Sequence, residues 1–400
     1  CSSSIPVSNP RWVIVINDCV THFKSNYILI DDEQDGEPVL TKVQDGDVEL
    51  IDSDGYGFIS LKLAKKWSYE IGEVDIVSGF CIRNSFCKGM VFPFDYVDFG
   101  NCVAGKHMVI DAWGVERDVR DADLILTTSM LKLWDSYSSI EDYLKNCHNN
   151  HYTFSVTKTC EAEEKNSREL NYQFLQSYDL KDCDIEELIQ PTINDISGIL
   201  GGDFYKTILF LKGKNQDESS SKYYENDYSK ALMVNPSVIN DTCLRTRVSQ
   251  MLQKRINNAK LGRIRVDGDF FVISGDPYSL CQSMFNIPVT GLLKSGQVYS
   301  KYWIKKEVSE IVCFRAPMSC HNNIRKVSVF HNDKTDYWYR YMKNVLVLNS
   351  WDMITFAANG ADKDGDTMLT TNNDVLLRNT LNSDAIVCVQ HKALKTIVQE

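Results

Sequence analysis

The sequence has no long apolar run, no closely paired cysteines and no excess of basic residues. No stretch approaches the ~18 apolar residues of a membrane helix and no signal peptide is visible, so we expect no membrane partner and a cytoplasmic location. The 13 cysteines include no C-x-x-C pair, which favours free thiols in a reducing cytosol over disulfides or a zinc site. The net charge of −11 counts against a uniformly basic nucleic-acid binder but leaves room for a local basic patch.

The 400 residues exceed what one hydrophobic core usually serves, so two domains or one large composite domain are expected. The first ~110 residues favour strands, apolar spacing of three and four predicts helices between about 121 and 200, and strand patterns return after 260. The polar stretch 214–229 predicts an exposed loop. Residues 245–260 predict a basic helix, which is either a solvated face or a contact for nucleic-acid backbone. The chain opens at Cys1 without methionine, which leaves open that it is part of a longer protein.

The motif "ADKDGD", residues 361–366, crowds three carboxylates around one glycine. Like charges ~4–6 Å apart raise each other's pKa, so the crowding needs a compensating cation. A tight turn at Gly365 would let Asp362, Asp364 and Asp366 converge, and such hard oxygen ligands suit Mg²⁺. A solvated acidic turn is the alternative interpretation. An EF-hand calcium loop is excluded, because the sixth and twelfth positions lack the Gly and Glu that it needs.

The segment "VCFRAPMSCHNN", residues 312–323, precedes the acidic motif. The order Arg-x-Pro, His, a stretch of strands and then the acidic motif resembles the second double-psi β-barrel of multisubunit RNA polymerases and the matching barrel of the silencing RNA-dependent RNA polymerases. The resemblance implies that the three aspartates hold the catalytic Mg²⁺ and that Arg315 lies near the nucleotide sugar and template. This sequence departs at Lys363, whose side chain we expect to point away from the metal, and in the spacing of His321, for which no role is carried over.

Three further motifs, "DGYGFIS" (54–60), "GFCIRNSFCKGMV" (79–91) and "TTSMLKL" (127–133), follow the order of the first barrel of the silencing polymerases. Residues 168–180 resemble their connecting helix. Lys88 matches the barrel lysine that contacts RNA or nucleotide phosphates, although residues 84–86 replace the glycine pair before it. The family carries a second lysine upstream, and the candidates for it are Lys62, Lys65 and Lys66.

These motifs together resemble the two-barrel RNA polymerase superfamily, and single-chain phage enzymes in particular. The resemblance implies an α+β fold with two double-psi β-barrels, at 1–135 and 261–400, joined by a mainly helical connector at 136–260. It implies a nucleotidyltransferase that uses Mg²⁺, with Mn²⁺ as an alternative ion, to join ribonucleoside triphosphates on a nucleic-acid template by a two-metal-ion mechanism. The predicted site residues are Asp362, Asp364, Asp366, Lys88 and Arg315 for catalysis, with Lys88, Arg83, Arg315 and Asn359 binding substrate or nucleic acid.

The sequence leaves several alternatives open. We favour DNA slightly over RNA as the template, although no motif separates a phage-type transcriptase from a silencing-type enzyme. A non-catalytic nucleic-acid-binding barrel and a metal-dependent nuclease are the rivals from other classes. At the level of single residues, Lys88 could be a surface lysine and Arg315 a structural salt bridge. The phage resemblance implies the cytoplasm of a bacterial or phage-infected cell.

Overall fold

A computed structural model gives the structure and describes residues 4–160, 165–212 and 227–388. The predicted polar loop at 214–229 lies largely outside the described residues. None of the helices in the described ranges is long and apolar enough to cross a bilayer. Every cysteine in those ranges is a free thiol, as the spacing predicts.

The described strands fall into two groups, separated by a mainly helical middle segment. The strands of the first half are β1 (Ile5–Pro6), β2 (Val13–Ile16), β3 (Val20–Gln34), β4 (Glu37–Ile51), β5 (Tyr56–Ile59), β6 (Phe80–Asn84), β7 (Cys87–Pro93), β8 (Met108–Ile110), β9 (Glu116–Asp118), β10 (Leu124–Thr127) and β11 (Ser155–Thr159). The later strands are β12 (Ser167–Glu169), β13 (Arg265–Ser274), β14 (Gln297–Tyr299), β15 (Glu310–Phe314), β16 (Arg325–Val329), β17 (Val345–Leu348), β18 (Thr367–Thr371) and β19 (Ala385–Cys388).

The helices concentrate in the middle of the chain. They are α1 (Leu61–Glu70), α2 (Tyr96–Phe99), α3 (Ile140–Asn149), α4 (Tyr172–Gln176), α5 (Asp182–Leu200), α6 (Phe204–Leu211), α7 (Asp227–Val234), α8 (Thr242–Lys260), α9 (Pro277–Met284), α10 (Lys301–Lys305), α11 (Asp333–Trp338), α12 (Ile354–Ala357) and α13 (Asp374–Asn379). A π-helical turn covers Gly100–Ala104, and 3₁₀ turns cover Trp134–Ser136, Pro236–Asn240 and His321–Asn323.

Two mixed sheets have the same strand order. One runs β11-β6-β7-β5-β10-β2 with β1 beyond β11, and the other runs β18-β15-β16-β14-β17-β13 with β12 beyond β13. Matched in chain order, the six strands of each sheet correspond, and every neighbouring pair has the same relative direction. Antiparallel pairing of β13 with β18 closes the second sheet into a barrel. The predicted α+β fold with two barrels is confirmed. The two sheets repeat the same strand order and directions, although no repeat is visible at the level of residue identity.

Buried apolar strands explain why the two barrels pack as one unit. Strands β2 (VIVI), β5 (YGFI), β10 (LILT) and β17 (VLVL) are buried along their whole length, as expected for strands covered on both faces. One hydrophobic core joins Phe58 and Phe92 of the first barrel to Val272 and Val345 of the second. Burial of so much apolar surface fixes the barrels against each other.

The boundary predicted at residue 135 differs from the structure. β11, at 155–159, pairs with β6 and completes the first sheet, so the first barrel extends to about residue 160. Helices are predicted from about residue 121, but the first α-helix of this region begins only at Ile140. Met130 and Leu131 are instead buried in the barrel, and Leu133 has a left-handed φ of 59° that ends helical continuity. Apolar residues at helical spacing here belong to an irregular segment.

The helical connector packs around its own small core. α5, α6, α7 and α8 contribute Ile199, Leu211, Leu232 and Leu244 to one cluster. Helix α5 lies within the region predicted as helical up to about residue 200, and α8 covers the basic helix predicted at 245–260. The predicted connecting helix at 168–180 is shorter, because residues 167–169 form β12 and pair with the start of β13.

Candidate active site

The acidic motif forms the loop between α12 and β18. Its turn lies at residues 363–365, and Gly365 has a φ of +124°, an angle that a residue with a Cβ adopts only under strain. Lys363 is fully buried, whereas Asp362 is exposed and Asp364 and Asp366 are partly exposed. The tight turn predicted at Gly365 is present, and Lys363 points into the protein.

Two cations from different barrels contact the loop aspartates. Nζ of Lys88, on β7, lies 2.5 Å from Oδ2 of Asp364, and this hydrogen bond raises the pKa of Lys88. Arg315, just after β15, places Nη2 2.8 Å from Oδ2 of Asp366 and donates from Nη1 to the carbonyl oxygen of Ala358 at 2.8 Å. The loop therefore lies where the barrels meet, and two of its three charges are compensated by the protein itself.

A turn of the first barrel, residues 52–57, packs against the acidic loop. Gly55 comes so close that a Cβ there would lie 2.7 Å from Cβ of Asp364. The carbonyl oxygen of Asp54 accepts a hydrogen bond from the backbone N–H of Lys363 at 2.9 Å, and Met90 N–H donates to the carbonyl oxygen of Gly55 at 2.9 Å. Gly55 of the "DGYG" motif is thus required, because a side chain at this position would collide with the acidic loop.

Asp18 links this turn to the "TTSMLKL" motif. Its Oδ2 accepts from the hydroxyl of Thr128 at 2.7 Å, and its Oδ1 accepts from the hydroxyl of Ser129 at 2.7 Å. Oγ of Ser129 in turn accepts from the backbone N–H of Gly55 at 2.9 Å. The three first-barrel motifs are therefore one hydrogen-bonded support for the acidic loop.

A buried group of charges lies beneath the loop. Lys363, Asp52 and Asp276 are all fully buried. Oδ2 of Asp52 accepts from the backbone N–H of Asp276 at 3.0 Å, whereas Oδ1 of Asp52 has no hydrogen-bond partner in the described part of the chain. Burial raises the pKa of Asp52 to about 6, and the positive charge of Lys363 opposes that rise. Burial lowers the pKa of Lys363, and Asp52 opposes it in turn. The charged form of each of these two side chains is therefore favoured by the charge of the other.

Two further cations stand close to the site. Arg83 lies directly opposite Lys88 in the β6–β7 pair, so the two side chains share one face of the sheet. Burial raises the pKa of Asp54, and the positive charges of Lys363 and, more weakly, of Lys132 oppose that rise. Arg83 therefore lies beside Lys88, and the Ser-Met-x-Lys motif reaches the supporting turn through Ser129.

The three lysines considered for the second active-site position all lie on α1. Lys66 pairs with Glu70 at 3.9 Å, and Lys62 lines a separate cavity with Arg11. Within the described residues, no contact joins Lys62, Lys65 or Lys66 to the acidic loop. Lys132, which sequence reasoning passed over, is the further lysine beside the loop's supporting turn.

Asn359 and His321 make contacts within the protein. Asn359 donates from Nδ2 to the carbonyl oxygen of Pro317 at 2.6 Å and accepts at Oδ1 from Asn323 at 2.9 Å. His321 is held at its two ring nitrogens by the carbonyl oxygen of Ser177 and by the backbone of the segment after α13, each at about 3 Å. Asn359 therefore positions the Arg-x-Pro segment next to the loop, and His321 ties the connector to the C-terminal region.

Comparison with known proteins assigns the family. The family described as RNA dependent RNA polymerase matches residues 6–393. The chain belongs to the RNA-dependent RNA polymerase family. The DNA-directed RNA polymerase YonO of Bacillus phage SPbeta is 26% identical over 279 residues, which cover 68% of this chain and 30% of the phage protein. The RNA dependent RNA polymerase QDE-1 from Thielavia terrestris shares the fold, with a TM-score of 0.59 and 14% identity over 95% of this chain and 38% of that one. This family member spans about a third of the length of these two relatives.

The chemistry of the loop fits a divalent metal, although the side chains are not gathered around one point. Among the described residues, no three Asp, Glu, His or Cys side chains form a ready metal group. The reason is visible, because Asp364 and Asp366 are turned towards Lys88 and Arg315. Three carboxylates within five residues of one loop nevertheless match the hard oxygen ligands of Mg²⁺. Metal binding would require these carboxylates to exchange an internal cation for the ion.

The turn before Lys88 carries a strained residue. Asn84 pairs with Cys87, so Ser85 and Phe86 form a two-residue turn, and Phe86 has a φ of +55° with 57% of its surface exposed. A Phe86→Gly variant should be more stable by about 0.5–1 kcal/mol, because glycine adopts this angle without the Cβ penalty of ~1–2 kcal/mol while losing more backbone entropy. Urea unfolding measures the difference. Phe86→Ala keeps the Cβ and is the control; a glycine variant no more stable than the alanine variant would contradict the assignment of strain.

Proposed function

We propose that this chain is the catalytic core of a template-directed RNA polymerase that joins ribonucleoside triphosphates. The observation that carries the proposal is the contact between Lys88 of one barrel and Asp364 of the other, 2.5 Å apart. A structural ion pair alone would not need the two further cations, Arg83 opposite Lys88 in the β6–β7 pair and Arg315 against Asp366. Phosphoryl transfer needs positioned cations and carboxylates at one point, and little other chemistry from the protein.

Each residue has a distinct role in this proposal. Asp362, Asp364 and Asp366 would hold Mg²⁺, or Mn²⁺ in its place, and the bound ions would lower the pKa of the attacking 3′-hydroxyl and screen the pyrophosphate that leaves. Lys88 and Arg83, adjacent on β7 and β6, would present two positive charges to the incoming phosphates. Arg315 has a planar, bidentate head that suits sugar and phosphate recognition. Lys88 and Arg315 would become available to substrate if Asp364 and Asp366 bound a metal ion in place of these two side chains.

DNA is the template that we favour. Support comes from the phage relative, which is named as a DNA-directed RNA polymerase, whereas the name of the family favours RNA. The implied partners are the template, the RNA product and the nucleoside triphosphates. The phage relative also supports a bacterial host cytoplasm as the location.

Extension of a labelled RNA primer tests the proposal. The chain should extend RNA annealed to a DNA template with Mg²⁺ or Mn²⁺, and much less on an RNA template of the same sequence. EDTA should remove all product, because no protein side chain replaces the ion. A preformed RNA–template hybrid avoids any need for a promoter. Equal product without template, or shortening of the primer, would instead indicate terminal addition or a nuclease.

A further inference from the structure

A cavity of about 510 Å³ lies in the helical connector, away from the acidic loop. Its walls come from α5, α6, α8 and the segment that leads into β13. Five cationic side chains line it, and Glu169 is the acidic residue among them. The cationic residues are Arg247, Lys254, Arg255, Arg263 and Arg265. We call this space the connector cavity. In a chain with a net charge of −11, so local an excess of positive charge marks an anion site.

Several of these cations have no ion-pair partner among the residues that the structure describes. Arg255 pairs with Asp195 at 3.0 Å, and Arg265 stands opposite Glu169 in the β12–β13 pair. For Arg247, Lys254 and Arg263, the described ranges contain no ion-pair partner. Like charges gathered without compensation repel each other, so the cavity gains stability from an anion.

Helix geometry and one glycine turn bring the cations together. Arg247 and Lys254 are seven residues apart on α8, which is two turns, so they lie on one face. Gly262, at φ +77°, ends the helix and turns the chain back, and the backbone N–H of Arg263 donates to the carbonyl oxygen of Asn258 at 3.1 Å. The turn thus keeps Arg263 beside the end of α8, where its side chain lines the cavity together with those of the helix.

Two of the residues that line the cavity are large and apolar. These are Phe210 and Met251, and the guanidinium of Arg255 lies 6.0 Å from the centre of the Phe210 ring. The volume falls within the range of small-ligand pockets, ~300–1,000 Å³, and so accommodates a nucleotide unit. Cations along a groove with an aromatic ring beneath them form the usual combination for single strands, in which phosphates meet the charges and bases stack on the ring.

We propose that the connector cavity binds the phosphate backbone of a single nucleic-acid strand. Strand β13 connects it to the active site, because the backbone N–H of Ile273 donates to the carbonyl oxygen of Asp366 at 3.0 Å. From Arg265 to Ile273 is 273 − 265 = 8 steps of ~3.3 Å, so these two residues are at most ~26 Å apart along the strand. The inference rests on the proposed function in one respect only, which is the identity of the polymerase strand that occupies the cavity.

Binding of a labelled single-stranded 15-mer to the full chain tests this inference, with fluorescence anisotropy read in EDTA and without nucleotides. The double variant Arg247→Ala/Lys254→Ala should bind about tenfold more weakly at 0.1 M salt. Its plot of log affinity against log salt should be shallower by about 1.4, since each phosphate contact contributes ~0.7 for single strands. Both side chains are exposed, so circular dichroism should show an unchanged fold.

The matched control is Arg245→Ala/Lys260→Ala. It removes the same charge from exposed positions of α8 outside the cavity lining, and should keep affinity within about twofold. Equal losses in both double variants would show a general charge effect and overturn the proposal. Displacement of the 15-mer by an equal concentration of free triphosphate would also overturn it, because the cavity would then be a mononucleotide site. Since EDTA prevents catalysis, the result does not depend on whether the chain polymerises.

Discussion

Replacing Asp364 by asparagine should reduce nucleotide addition at least ~100–1,000-fold, about 3–4 kcal/mol of transition-state stabilisation, while leaving the protein folded. The carboxylate is one of the three proposed ligands and the acceptor for Lys88 Nζ. Loss of the carboxylate would weaken the binding of the metal ion and leave Lys88 without its partner. Because 44% of the lysine side chain is already exposed, water can solvate its charge. Primer extension measures the rate, and thermal unfolding with and without Mg²⁺ measures binding of the ion. The wild-type chain should gain about 2.7 kcal/mol when the ion is present at 100 times its Kd, and the variant should gain much less.

Asp267→Asn is the matched control for this prediction. Asp267 is an exposed carboxylate on β13 of the same barrel, so its substitution removes one negative charge without touching the loop. Extension and the Mg²⁺-dependent gain in stability should both stay close to wild type. An Asp364→Asn chain that keeps more than about a tenth of the rate would contradict the assignment of the acidic loop as the catalytic centre.

The sequence predicted the parts of the site that depend on local chemistry. Three aspartates around Gly365 required a turn, and the turn is present. The resemblance implied a phosphate-binding role for Lys88 in the first barrel, and the structure places this lysine against Asp364 of the acidic loop. The local structure of such motifs can be predicted because residue type and spacing limit the backbone angles that the chain can adopt and the charges that can come together.

What the sequence did not reveal depends on packing between distant segments. The duplication of the two sheets is a matter of strand order and direction, which residue identities do not encode. α1 places its lysines away from the loop, whereas Lys132 comes close because the segment around Met130 is drawn into the barrel core. Asp18 was not predicted as part of the site. Nothing in "VIVIND" indicates that its carboxylate accepts a hydrogen bond from Ser129, which lies 111 residues away in the sequence.

The buried pair beneath the loop gives the prediction with the largest effect on folding. A Lys363→Met variant should lose about 1–3 kcal/mol of unfolding free energy, because Asp52 would remain buried without the positive charge that opposes its desolvation. Methionine has a similar length, so the main changes are the loss of that charge and of the hydrogen bond from Nζ to the hydroxyl of Thr355 at 3.3 Å. Against a typical total of ~5–15 kcal/mol, such a loss is substantial, and denaturant unfolding would measure it directly.

The partner substitution decides whether charge compensation is the cause. In Lys363→Met/Asp52→Asn both charges are absent, so most of the lost stability should return, and a double-mutant cycle should give a coupling of at least ~1–3 kcal/mol. Lys334→Met, at an exposed position of α11, should change stability by no more than about 0.5 kcal/mol. If the two substitutions were simply additive, Lys363 would stabilise the protein through its packing alone. With coupling, a lysine inside the acidic motif and an aspartate in the first barrel form one electrostatic unit. The acidic loop would then be held by charges of the first barrel on both sides, by Asp52 on its buried side and by Lys88 on its exposed side.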